Sequence, residues 1–259
     1  MTFSTIEYQV NQRVGYITLN RPEKRNAFSA ELVTDLKAAF TQAANDSDVK
    51  VIVLNAKGKV FSAGADLGAL QQLQNNTFDD NFRDSSELAA LFEMIYTLPK
   101  VVIAQVEGPA IAGGCGLATI CDLVFATPEA AFGYTEAKIG FLPAIVMIFL
   151  LRKIGETRAK ELLLSGELIN AEKAQAMGLI NYVKAADEIH QVVFDFAQYL
   201  CTQTSADSLR LTKQMIAQVQ GLSLPDALYY AAQMNATART TDDCKRGINA
   251  FLNKEKITW

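Results

Sequence analysis

The stretch from Gly108 to Asp122, GPAIAGGCGLATICD, constrains the fold more than any other part of the chain. Small residues crowded at a turn and a helix start let backbone approach backbone, or let a ligand carbonyl reach bare amide N–H groups. A lone carboxylate follows at Glu136, in FGYTE, within apolar sequence. Backbone donors beside an isolated acid suit proton transfer next to a carbonyl.

Around this stretch short strands alternate with amphipathic helices. RVGYITL, Arg13 to Leu19, alternates as a strand, and Ser29 offers an N-cap to a helix with Leu32, Val33, Leu36, Phe40 and Ala43 on one face. Residues 49–55 read as a buried strand, and 101–106 and 123–126 as strands flanking a helix that begins near Gly114. The polar stretch from Gln71 to Ser86 has little periodicity and reads as a mobile loop or lid before a helix from about Glu87 to Thr97. Helices are expected over 156–165 and 170–177, the second capped by Asn170 and stopped by Gly178, with a strand over 179–183. From about Glu188 onward every segment has helical periodicity. The expectation is an α/β core over residues 1–195 and a helical region over 196–259 whose apolar faces need cover, which a partner subunit would supply.

Half of the 259 residues are apolar, enough for a sizeable core, and a net charge of -4 with both signs interspersed gives no basic face for nucleic acid. Local Lys and Arg clusters can still hold a phosphorylated ligand. The four cysteines lack metal-ligand spacing, so no metal site is expected, and Cys115 and Cys121 read as small buried hydrophobes of a reduced, cytoplasmic protein. MTFSTIEYQV shows no basic segment followed by an apolar run, so no secretory signal is expected. The apolar run from Ile139 to Leu151 is broken by Pro143 and falls short of the ~20 residues a bilayer span needs, so it reads as a core or pocket segment. The single histidine, His190, sits in an amphipathic helix far from the glycines, which disfavours a Ser/His/Asp triad. AGGCG lacks the pattern of a dinucleotide fingerprint.

The segments LNRPEKRNAFSAEL, VIVLNAKGKVFSAGADL, VEGPAIAGGCGLATICDLVFA, FGYTEAKIGFLP and AFLNKEK stand in that order along the chain. Together they resemble the enoyl-CoA hydratase/isomerase (crotonase) superfamily over essentially the whole length. The resemblance implies a spiral of ββα units followed by a helical trimerisation region, assembled as a homotrimer or a dimer of trimers. It implies an acyl-CoA thioester substrate that brings coenzyme A with it, and no further cofactor. Two backbone N–H groups would face the thioester oxygen, and by the match they belong to Ala65 and Gly113. One such donor is worth about 3 kcal/mol when an enolate-like state forms. By the same match Lys24, Arg25 and Ala27 line the diphosphate and pantetheine path, and Ala63, Asp66 and Leu67 hold the adenine. Lys254 would reach CoA phosphate from a neighbouring subunit.

One position departs from the family pattern. Classical hydratases of the superfamily carry two glutamates, and the first falls on Gly116, leaving only Glu136. A two-carboxylate hydration is therefore in doubt, whereas moving a double bond from the 3 to the 2 position needs only one acid that takes and returns a proton. FGYTEAKIGFLPAIVMIFLLRKIGE nevertheless resembles proteins called hydratases, so hydration and isomerisation stand side by side. Phe132, Ile139, Phe141 and Leu142 are expected to desolvate Glu136 and raise its pKa. Gly116, Tyr134, Phe141 and Leu142 are expected around the acyl group, with Gly116 enlarging the pocket for a branched or bulky chain. Ala144, Ile145, Val146 and Met147, where the family often has further glycines, should narrow or grease its end. Tyr134, Gln71, Gln72, Asp79, Asp80 and Asp84 are candidates by position for the missing acid. A catalytically inactive acyl-CoA-binding or scaffold protein is the remaining reading.

Overall fold

The structure, a computed structural model, describes residues 3–259 except 67, 69 and 72–74. β1 (Ile6–Asn11) and β2 (Val14–Leu19) form an antiparallel hairpin at the edge of a six-stranded sheet. β2 then pairs in parallel with β3 (Val51–Ala56), and the sheet continues through β4 (Val101–Val106), β6 (Leu123–Ala126) and β9 (Tyr182–Val183). A second sheet holds β5 (Ala110–Ile111), β7 (Ala131–Gly133) and β8 (Ile169–Asn170).

Successive side chains on the central strands enter two separate cores, as the pleat requires. Ile52, Leu54, Val102, Ala104, Val124 and Ala126 face α1 (Ala30–Asn45), α2 (Phe78–Thr97) and α3 (Gly113–Ile120). Val51, Val53, Ile103 and Phe125 instead meet Ile189, Val193, Ala197 and Leu200 of α6 (Ile189–Gln203). Strands covered on both faces read as continuous apolar runs, which is the pattern of VIVL and VVIAQV.

The first core also takes in α4 (Ala144–Ser165), interrupted at Gly155 (φ 74, ψ 170), and α5 (Ala171–Ala176), capped by Asn170 as expected. After α6 come α7 (Ala206–Val219), α8 (Leu224–Thr240) and α9 (Asp242–Leu252). The division at 195 falls inside α6, which lies on the sheet. α8 and α9 leave Leu224, Leu228, Tyr229, Ile248, Phe251 and Leu252 exposed on a single chain. Among the described residues no helix is long and apolar enough to cross a membrane.

Three expectations need correction. The helix expected from Glu87 begins at Phe78, because Thr77 and Asp80 form a capping box ahead of two turns so exposed that they show no apolar period. The strand expected over 179–183 is paired only at Tyr182–Val183. The run from Ile139 to Leu151, expected as a core or pocket segment, leaves Ile139, Phe141, Leu142, Ile148 and Leu151 exposed, and from Ala144 it is helix up to the break at Gly155, after which the helix expected from Glu156 begins.

Lysines close several helix ends. Lys100 Nζ donates to the carbonyls of Ala43 and Asp46 beyond α1, and Lys153 Nζ donates to Thr119 O at 2.6 Å and Cys121 O at 3.2 Å beyond α3. A cation at a helix C-terminus meets orphan carbonyls and the negative end of the dipole.

Candidate active site

The site begins with a tight loop after β2. Arg25 and Asn26 are left-handed (φ 51 and 50), a conformation Asn tolerates well. Asn26 is fully buried: its side-chain oxygen accepts from Arg21 N at 2.8 Å, and its Nδ2 donates to Lys57 O and Val60 O, each at 2.9 Å. These bonds tie residues 21–28 to residues 57–66. Ala63 N donates to Arg25 O at 3.0 Å, Phe28 N to Gly64 O at 2.6 Å, and Asp66 N to Phe28 O at 3.0 Å. In such a parallel bridge Gly64 O and Asp66 N face Phe28, so the N–H of Ala65 is turned to the opposite side.

Gly64 (φ +84) brings this loop against the glycine-rich turn. A Cβ there would lie 2.9 Å from Ala112 Cβ, 3.0 Å from Ile111 O and 3.6 Å from Gly113 N, so only glycine lets the two backbones close. Ala112 itself has φ 54 and ψ -126, a conformation that costs a non-glycine residue about 1–3 kcal/mol. It is held by Ala112 N donating to Gly133 O at 2.7 Å and Gly116 N donating to Ala112 O at 3.1 Å. The strained turn makes Gly113 the first residue of α3, where a backbone N–H has no intrahelical acceptor.

Glu136 opens a short 3-10 turn, Glu136–Ile139, just after β7. The residue is only 8% exposed, and among the described residues Oε2 is buried with no hydrogen-bond partner. Burial pushes its pKa above the ordinary carboxylate value. The cover differs from the expected one. Ile139, Phe141 and Leu142 are 67%, 52% and 66% exposed and lie on the surface, while Phe132 and Tyr134 are fully buried. Tyr134 is sealed in the core with its OH 3.0 Å from Thr119 Oγ1, so it presents no free acid. Burial also pushes the thiols of Cys115 and Cys121 up to about 12.

Gly116 corrects another expectation. A Cβ there would stand 2.3 Å from Val146 Cγ1, so the glycine does not enlarge a pocket, and Val146 occupies the space instead.

The proposed CoA-facing residues are differently placed. Lys24 and Arg25 are exposed, Ala27 is buried and Ala63 half-buried. Asp66 accepts from Gly68 N at 2.8 Å and meets Arg21 Nη2 at 3.5 Å. Lys254 is exposed beyond α9 with φ 56. Leu67 and Gln72 lie outside the described residues. Gln71, Asp79, Asp80 and Asp84 are exposed, and Asp80 serves as the cap partner of Thr77. His190 is at the surface, 3.2 Å from Glu107. Sequence reasoning missed Arg21 and Asn26. The Asn within RNAF was a usable signal, since a left-handed position is one of the few places where Asn is favoured.

A family model described as enoyl-CoA hydratase/isomerase matches residues 9–259. The chain is 43% identical over 245 residues to a Thermus thermophilus protein described as a candidate enoyl-CoA hydratase, covering 93% of this chain and 95% of that one. It is 33% identical over 247 residues to the 2,3-dehydroadipyl-CoA hydratase of Escherichia coli, covering 94% and 93%. The crystal structure of an enoyl-CoA hydratase from Shewanella pealeana superposes with a TM-score of 0.93 at 27% identity, covering 99% of this chain and 96% of that one. A crotonase-like fold, matched along nearly its whole length by such relatives, carries the two glycine-rich segments and the buried carboxyl. The chain belongs to the enoyl-CoA hydratase/isomerase family.

Proposed function

We propose that the protein hydrates a 2-enoyl-CoA thioester with Glu136 as its single acid/base and the N–H groups of Ala65 and Gly113 holding the thioester oxygen. The observation that carries this reading is the Oε2 of Glu136, buried without a partner and therefore free for a proton in transit. The names of the relatives support hydration as the reaction. Water adds its oxygen to C3, its proton passes to Glu136, and the electron pair of the double bond moves onto the thioester oxygen. Glu136 then returns that proton to C2, so one water is consumed and the carboxylate is restored. The donor at Gly113 gains from the positive end of α3.

Isomerisation is the second reading, favoured by the apolar filling beside Gly116, where no second carboxylate fits. Glu136 would take a proton from C2 of a 3-enoyl-CoA and return it to C4, with no atom gained or lost. In either case Lys24, Arg25, Ala27, Ala63, Asp66 and Leu67 would line the CoA path, and Lys254 would reach it from a neighbouring subunit. The exposed apolar residues of α8 and α9 support a homotrimer or dimer of trimers built on the helical region 196–259. The test follows the ultraviolet band of the conjugated thioester. Hydration makes the band fade from a 2-enoyl-CoA, and isomerisation makes it grow from a 3-enoyl-CoA. Tight acyl-CoA binding with neither change would overturn catalysis in favour of a scaffold.

A further inference from the structure

Gly113 and Gly116 are one helical turn apart on the same face of α3. At Gly116 a Cβ would meet Val146 Cγ1 at 2.3 Å, Phe92 Cε1 at 2.9 Å and Val146 Cβ at 3.1 Å, so even alanine requires a neighbour to move. Phe92 is braced from behind by Phe149 at 6.0 Å between ring centroids, and Phe149 by Tyr96 at 5.3 Å. Val146 is 5% exposed and sits in the first turn of α4. That helix follows the Glu136 turn after only Gly140 to Pro143, and Phe141 N donates to Glu136 O at 2.9 Å. The segment that carries the acid thus also delivers a branched side chain onto α3.

Resting on the assignment of Glu136 as acid/base and Gly113 as donor, we propose that Val146 is a specificity-determining residue of the acyl site. Its methyl groups, backed by Phe92, close the α3 side of the acyl path. They present only carbon there and restrict the site to straight apolar acyl chains. Gly116 and Val146 act as one unit, the missing side chain of the first making room for the second.

The experiment measures kcat/KM for a straight-chain and a methyl-branched 2-enoyl-CoA in wild type, Val146→Ala, Val146→Ile and Glu136→Gln. The branched-to-straight ratio should rise about 10-fold or more in Val146→Ala and fall in Val146→Ile, the scale expected when one or two methyl groups leave or enter an apolar pocket. The ratio does not depend on how much protein is folded, so a variant of lowered stability still reports. An unchanged ratio in both Val146 variants, with turnover lost in Glu136→Gln, overturns this proposal alone. Turnover kept in Glu136→Gln overturns the underlying site assignment. As a check on packing, Gly116→Ala should lower the melting temperature more in wild type than in Val146→Ala, and equal drops would break the pairing.

Discussion

The two ends of α3 treat polar groups in opposite ways. At its C-terminal end the polar groups find partners: Lys153 caps the Thr119 and Cys121 carbonyls, and Asp122 Oδ2 accepts from Val102 N and from Lys213 Nζ, both at 2.7 Å. Lys213 Nζ also donates to Ile95 O and Lys100 O, each at 3.0 Å. At the N-terminal end the backbone is strained at Ala112, the Gly113 N–H has no intrahelical acceptor, and the Glu136 carboxyl keeps an oxygen with no partner among the described residues. Desolvation raises the pKa of Asp122, whose side chain is 27% exposed, and of the buried Glu136 alike, so the direction of the shift does not separate the two acids. What separates them is partnership. An acid with its bonds filled holds the scaffold, and one left with an unshared lone pair is available for chemistry.

The contrast can be broken by substitution at either end. Glu136→Gln should lower kcat by about 10²–10⁴-fold, the usual contribution of a positioned acid/base, with little change in the fold by circular dichroism. A rate within a few-fold of wild type would remove the functional half of the comparison. Lys213→Met should lower unfolding free energy by about 3 kcal/mol in denaturant titration, because it strands the Asp122 carboxylate and two carbonyls. A loss near zero would mean that the satisfied end contributes nothing. The smallest effect concerns stability at the open end. Since the folded state raises the Glu136 pKa, stability from this group is greatest in acid and falls as pH rises from the ordinary carboxylate range through the raised value. Glu136→Gln should therefore be more heat-stable than wild type near pH 8, and the gain should vanish in acid.

Local signals were readable wherever a residue acts on its own neighbourhood. Ser29 caps α1 by accepting from Leu32 N, Asn170 caps α5 by accepting from Lys173 N, and the strands over 101–106 and 123–126 end where their patterns end. β1 was not singled out, because at a sheet edge its residues beyond Ile6 are mostly exposed and carry no clean alternation. The buried state of Glu136 was legible from composition, but the part played by its sequence neighbours was not: Ile139, Phe141 and Leu142 turn outward on the single chain. The Lys213–Asp122 pair joins positions 91 residues apart and leaves no local trace. The left-handed Ala112 is equally silent, since nothing in an alanine announces a glycine-like backbone.

The thiols around α3 have a practical corollary. Cys115, Cys121 and Cys201 are buried with their pKa values raised, which suppresses the thiolate that alkylating reagents attack. Cys244, on α9, is the more accessible of the four. On the single chain alkylation should therefore fall on α9, apart from the acid-bearing turn, and assembly through α8 and α9 should slow it.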